Sequence, residues 1–219
     1  CRIAQRTDAT GVNALEKLMN EIVDILKKGG VAALPTDNFY CLAADASNES
    51  AVNKVFKLKG RSNSSALPIL IADLSDVNKY TINRPECVRL ISEKYWPGAL
   101  TIVLEKSNNL APNISAGLDT IGIRIPNSDF IRNLIRKLGS PITGTSANLS
   151  GRMPATSPKE IELSLSRNLD FVYKDLTTPG GLPSTVLDLS TRPARILRDG
   201  AIKKSELKSI FKLHKLDLI

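Results

Sequence analysis

Six short stretches of this chain gather side chains that could grip an anionic substrate. In FKLKGR (Phe56–Arg61), helical spacing places Lys59 three and seven residues after the apolar Phe56 and Val52, on the inward face at a helix end. A lysine there needs either a route to water along its own stem or an anionic partner. Gly60 lets the chain leave the helix and Arg61 turns back, so two cations can converge on one anion. Lysine supplies a compact point charge and arginine a planar fork for phosphate oxygens. Compensation of the helix dipole, worth about 0.3–1 kcal/mol, accounts for one cation better than for a pair. Lys54 and Lys57 fall elsewhere on the helix and read as solvated.

The remaining stretches supply hydroxyls and two more arginines. LPTDNFYCL (Leu34–Leu42) sits at the carboxyl end of a buried strand, the edge at which open α/β sheets bind ligands. Pro35 fixes the backbone there and aims the hydroxyl and amide of Thr36; an ordinary turn capped by Thr36 or Asp37 is the alternative. In GIRIP (Gly122–Pro126), strand alternation puts Ile121, Ile123 and Ile125 on one face and Gly122 and Arg124 on the other. Arg124 is then either solvated or buried against a carboxylate or phosphate. PITGTSANLSG (Pro141–Gly151) offers Thr143, Thr145, Ser146, Asn148 and Ser150, all neutral donors. PGGLPSTVLDL (Pro179–Leu189) leads a glycine–proline loop into a strand that begins at Ser184 and Thr185, and ILRDG (Ile196–Gly200) ends a strand on Arg198.

Several chemistries are excluded. Neither a Walker A pattern nor a strand-coupled GxGxxG is present, and no carboxylate cluster would hold a metal by itself. The three cysteines, Cys1, Cys41 and Cys87, are far apart and lack CxxC spacing, which argues against zinc or a disulfide framework and suits a reducing, cytoplasmic setting. His214 is the only histidine, so Ser-His-Asp and histidine-metal chemistry are improbable. It lies near Leu207, Ile210 and Phe211 on an apolar helical face and reads as structural. No apolar run approaches the roughly 18 residues of a membrane span, and no secretory or transit signal is visible. The net charge of +8 suits solubility, RNA or a nucleotide-like polyanion. Aromatic residues, at 5%, are too few for base-stacking platforms.

The elements that must position these residues alternate. Helices are expected from Asn13 to Lys28 (closed by Gly29-Gly30), Ser50 to Lys59, Glu86 to Tyr95, from Ser128, from Ser157 with a capping box to Glu160, and from Lys203. Strands are expected at VAALP, Leu67–Ala72, ALTIVLEK, TIGIRIP, PITGT, DFVYK, STVLDLS and ARILRD. The pattern implies an α/β fold: a single domain over residues 1–219 with a twisted, mixed, open sheet flanked by helices.

In this order, PT-D-x-x-Y, KxR, WPG-x-LT, IRIP, TSAN-x-SG, PSTV-x-D and ILR resemble the YrdC-like family of threonylcarbamoyl-adenylate synthases, from about Gly29 to Gly200. The resemblance implies an enzyme that joins L-threonine, bicarbonate and ATP into threonylcarbamoyl-AMP and releases pyrophosphate. A separate transferase complex then modifies tRNA. It also implies that Lys59 and Arg61 grip and stabilise the phosphates, with Ser146, Asn148, Ser115, Arg152 and Arg198 as further ATP contacts. Thr36, Arg124 and Ser184 would hold threonine, and Mg²⁺ would arrive with ATP. Direct tRNA contact is left open. Asn38, Cys41, Leu70 and Asp199 depart from the family pattern: Cys41 replaces a loop glycine, Leu70 a histidine of some members, and Asp199 a proline near the phosphate site. With the final helix close to the last residue, the form expected is the single catalytic domain without the extra C-terminal domain of longer relatives. A non-catalytic RNA-binding protein is the alternative; a carbamoyl-adenylate enzyme of hydrogenase maturation is another, but would bring further domains.

Overall fold

The structure is a computed structural model describing residues 9–60, 65–83, 85–165, 168–174, 178, 180–214 and 217–218, without the side chains of 9–13 and 164. In chain order the elements are α1 (Ala9–Lys27), β1 (Ala32–Pro35), β2 (Tyr40–Ala43), α2 (Glu49–Leu58), β3 (Ile69–Leu70), α3 (Val77–Tyr80) and α4 (Cys87–Tyr95). There follow β4 (Leu100–Glu105), β5 (Thr120–Arg124), α5 (Asp129–Leu138), β6 (Ile142–Thr143), β7 (Thr145–Ser146), α6 (Pro158–Ser164), β8 (Phe171–Val172), β9 (Thr185–Asp188), β10 (Arg195–Arg198) and α7 (Lys204–Leu213).

The expected mixed α/β architecture is present, but the strands divide between two sheets. One runs β7-β2-β1-β8 and the other β10-β9-β4-β5-β3-β6. Each is mixed: β1 pairs antiparallel with β2 and parallel with β8, while β4 pairs antiparallel with β5 and parallel with β9. The division falls inside PITGTSANLSG. Thr143 pairs with Ile69 of β3, whereas Thr145, two residues on, pairs with Leu42 of β2. Gly144 makes the transfer, and a Cβ there would lie 2.8 Å from Leu70 Cδ2. No other residue could pass that close to the second sheet without displacing Leu70.

One connected apolar core fills both sheets, from Leu34 and Leu42 to Ile102, Ile123 and Leu187. Helix α5 presents Phe130, Ile131, Leu134, Ile135 and Leu138 to it, capped by the Ser128 hydroxyl and closed by Gly139 at φ 81°. Ser157 caps α6 as its sequence suggests, but the Glu160 carboxylate accepts from Thr156 N at 2.7 Å, one residue earlier than a capping box requires. His214 departs from its expected place. It is the exposed C-cap of α7, and the preceding Leu213 is also exposed, because the last turn has run past the core that holds Leu207, Ile210 and Phe211.

Helix α2 decides where Lys59 goes. Asn48 Oδ1 accepts from Ala51 N at 3.1 Å and starts the helix, while Val52, Val55, Phe56 and Leu58 bury its inner face. Lys59 follows as the C-cap residue. Asn48→Ala is expected to lower unfolding free energy by about 1 kcal/mol, as loss of an N-cap usually does. Urea denaturation measures this; an unchanged midpoint would show that the cap contributes nothing.

Candidate active site

Between the sheets lies a cleft of about 530 Å³. Thr36 and Cys41 reach it from the first sheet, Leu70, Thr101, Gly122, Arg124 and Arg198 from the second, and Ser146 and Asn148 from the segment that joins them. Three cations line it, Lys59, Arg124 and Arg198, and among the described residues no aspartate or glutamate does. Such a wall attracts anions and repels none.

Lys59 is only 3% exposed. Its ammonium donates to Ser146 O at 2.7 Å, Asn148 O at 3.0 Å and Asn148 Oδ1 at 2.9 Å. Its own carbonyl accepts from Ser150 N at 3.0 Å. The Ser146 hydroxyl donates to Asn148 Oδ1 at 2.6 Å, and Asn148 Nδ2 donates to Arg152 O. Three tetrahedral N–H donors thus meet three acceptors of one turn. Lys59 therefore braces the Ser146–Asn148 turn from behind while its charge faces the cleft. Direct contact with a phosphate would require exchanging one of these oxygens for a ligand oxygen.

The second cation is held differently. Arg124 is 7% exposed, and its Nη2 stands 2.7 Å from both carboxylate oxygens of Asp37. Its Nε donates to Gly98 O at 2.8 Å. The alternation of β5 correctly placed Arg124 opposite the isoleucines, and Asp37 is the carboxylate that a buried arginine demands. The tip of the 36–39 turn supplies it. That turn closes on itself, with the Thr36 hydroxyl donating to Phe39 O at 2.6 Å and Phe39 N to Asn38 Oδ1 at 3.0 Å. Asn38 also reaches outward, accepting from Gly180 N at 2.9 Å and donating to Leu182 O at 3.3 Å, so it ties the glycine loop to the site.

Arg198 anchors the remaining wall. Its Nη2 donates to Ser184 O at 2.8 Å and Ser184 Oγ at 3.0 Å, and Ser184 Oγ lies 2.8 Å from Thr101 Oγ1. Burial, and then the nearby charge of Arg124, pull the Arg198 guanidinium below its ordinary pKa. Two like charges near one cleft are what a bound anion would relieve.

Other expected residues are less central. Ser115 is buried in a single 3₁₀ turn and does not line the cleft; its carbonyl accepts from Leu118 N, and Leu118 does line it. Arg152 is exposed and borders a neighbouring cleft of about 710 Å³, which shares Phe39, Asn148 and Pro154 with the first. Arg61 lies outside the described residues. Cys41 stands in strand β2, opposite Leu34 and Ser146, not in a loop. Burial pushes its thiol up to about 12, which makes it an inert wall despite the opposing pull of Arg124. Leu70 packs on Gly144 at the cleft floor, and Asp199 is exposed and lines neither cleft. Asp37, Gly98 and Thr101 were not singled out for these contacts, although they stand in the PT-D-x-x-Y and WPG-x-LT stretches; the arginine, if buried, signalled that an anionic partner must exist.

A family model, Sua5/YciO/YrdC, described as "Telomere recombination", matches residues 24–200. The chain belongs to this family. Among Sua5/YciO/YrdC relatives, a threonylcarbamoyl-AMP synthase of Bacillus subtilis is 35% identical over 85% of this chain and 54% of its own length. A putative threonylcarbamoyl-AMP synthase of Methanocaldococcus jannaschii is 33% identical over 88% of this chain and 92% of its own. The structure of Pyrococcus abyssi Sua5 complexed with L-threonine superimposes with a TM-score of 0.87 at 30% identity, covering 93% of this chain and 59% of that one. The chain spans about half the length of the Bacillus relative.

If Lys59 is the brace of this Sua5/YciO/YrdC cleft, its ammonium geometry should be irreplaceable. Lys59→Met and Lys59→Arg are both expected to lower unfolding free energy by about 1–3 kcal/mol, because neither a thioether nor a planar guanidinium matches three convergent acceptors. Urea denaturation checks this, and a wild-type midpoint in Lys59→Arg would contradict it.

Proposed function

We propose that this domain is an ATP-dependent L-threonylcarbamoyladenylate synthase, a nucleotidyltransferase that supplies the threonylcarbamoyl group for tRNA modification. The carrying observation is a cleft lined by Lys59, Arg124 and Arg198 and by no acidic side chain among the described residues. Names borne by relatives, and a related structure holding L-threonine, support the same reading.

The chemistry fits what the cleft has and lacks. The threonine amine captures carbon dioxide as a carbamate, whose oxygen attacks the α-phosphorus of ATP. A new O–P bond forms, the bond to the β-phosphate oxygen breaks, and pyrophosphate leaves. The nucleophile belongs to the substrate, so the protein's tasks are orientation and charge stabilisation. In this reading Lys59, Arg61 and Arg198 supply positive charge to the phosphates, and Ser146 and Asn148 shape the edge that meets the nucleotide. Ser115 acts through its turn, and Arg152 borders the outer cleft. Thr36, Arg124 and Ser184 hold the amino acid.

Mg²⁺ belongs to the proposal as a companion of ATP. No group of His, Cys, Asp and Glu among the described residues could hold a metal ion, so phosphate oxygens and water would be its ligands. The product then passes to a tRNA-modifying transferase, and a cytoplasmic site of action is part of this reading; among the described residues, no helix is long and apolar enough to cross a membrane. The RNA-binding alternative has less behind it, because the three cations line a cleft between sheets.

Pyrophosphate release is expected only when L-threonine, bicarbonate and ATP are all present. An enzymatic pyrophosphate assay that omits each in turn decides the matter. Undiminished release without threonine would refute the synthase reading.

A further inference from the structure

Asp37 touches the cleft only through another residue. Its carboxylate is paired with Arg124 but is not among the groups that line the cavity. What it does follows from counting donors on the guanidinium. Nε is spent on Gly98 O and Nη2 on the two Asp37 oxygens. Nη1 has only a long contact, 3.5 Å, to Asn38 Oδ1. Arg124 nevertheless lines the cleft, so Nη1 is the edge it has left to offer.

We infer that Asp37 is a positioning residue: it locks the Arg124 guanidinium so that a single nitrogen, Nη1, receives the carboxylate of the amino-acid substrate. The inference rests on the synthase reading and assigns to it a residue that never meets the substrate.

Two further observations support the role. The pair is built into rigid surroundings. Gly98 donates its own N–H to Ile125 O at 2.9 Å, which ties the acceptor for Nε to the residue that follows Arg124. Asp37 in turn lies between Thr36 and Asn38, whose side chains close the turn through Phe39. Charge gives the second argument. Arg124 and Arg198 are near enough to repel, and Asp37 is the carboxylate that offsets Arg124. The Arg124 end of the cleft is thereby close to neutral overall and suited to an amino acid with charges of both signs. Lys59 and Arg198 face a cleft that has no acidic lining residue among the described residues, a surface suited to a polyphosphate.

The test uses Asp37→Asn and Asp37→Glu in the full chain, titrated calorimetrically with L-threonine and separately with ATP, with a thermal melt of each variant. Asp37→Asn should weaken threonine binding by about tenfold or more while leaving ATP affinity unchanged, and Asp37→Glu should recover part of the loss. Wild-type threonine affinity in a folded Asp37→Asn overturns the inference, as does an equal loss of both ligands, which would mark a merely structural pair. If Asp37→Asn does not fold, Asp37→Glu carries the test: reduced threonine affinity with normal ATP affinity supports positioning, and unchanged affinity overturns it. A wild-type protein that binds ATP but not threonine overturns the synthase reading and this inference together; unaltered variants of a threonine-binding wild type overturn the inference alone.

Discussion

Burying a lysine ammonium requires an acceptor for each of its three N–H groups, and the structure around Lys59 is arranged to provide them. All three come from one turn, the segment between Ser146 and Asn148. Just before that turn, at Gly144, the chain passes from one sheet to the other. The charged group thus ties the end of α2 to the rim of the cleft, next to the joint between the sheets. Removing it would leave Asn148 O without its donor, at a cost of roughly 1–3 kcal/mol, while Ser146 O keeps Asn148 N and Asn148 Oδ1 keeps the Ser146 hydroxyl.

The same principle sorts the other cations. Each buried or half-buried charge on the cleft wall has been given a partner that fixes its direction without adding a carboxylate to the cavity surface. Arg124 leans on Asp37 behind the wall, and Arg198 leans on the carbonyl and hydroxyl of Ser184. Neutral acceptors hold two of the three, and among the described residues no acidic neighbour on the cleft surface offsets their positive field. Apart from the one oxygen that Lys59 would have to exchange, an anion entering the cleft meets groups already oriented.

Much of this was legible in the residues. The i, i+3, i+7 pattern put Lys59 on the inward face of α2, and the alternation of β5 put Arg124 opposite three isoleucines, because both readings depend only on local periodicity. The partner of Arg124 could not be read, since Asp37 is 87 positions away in sequence and meets it only when two sheets face each other. Strands β2 and β7 escaped because both are short: β2 is four apolar residues that continue directly from the 36–39 turn, and β7 is two hydroxyl residues that exist by pairing with distant β2. His214 shows the reverse. Its sequence setting suggested an apolar face that the end of α7, already past the core, does not deliver.

The most direct measurement is a crystal structure with L-threonine and a non-hydrolysable ATP analogue bound. The account predicts the threonine carboxylate on Arg124 Nη1, with Asp37 still paired to Nη2, and the phosphates in the cleft between Lys59 and Arg198. Phosphates lying outside that cleft, or a threonine carboxylate away from Arg124, would contradict it.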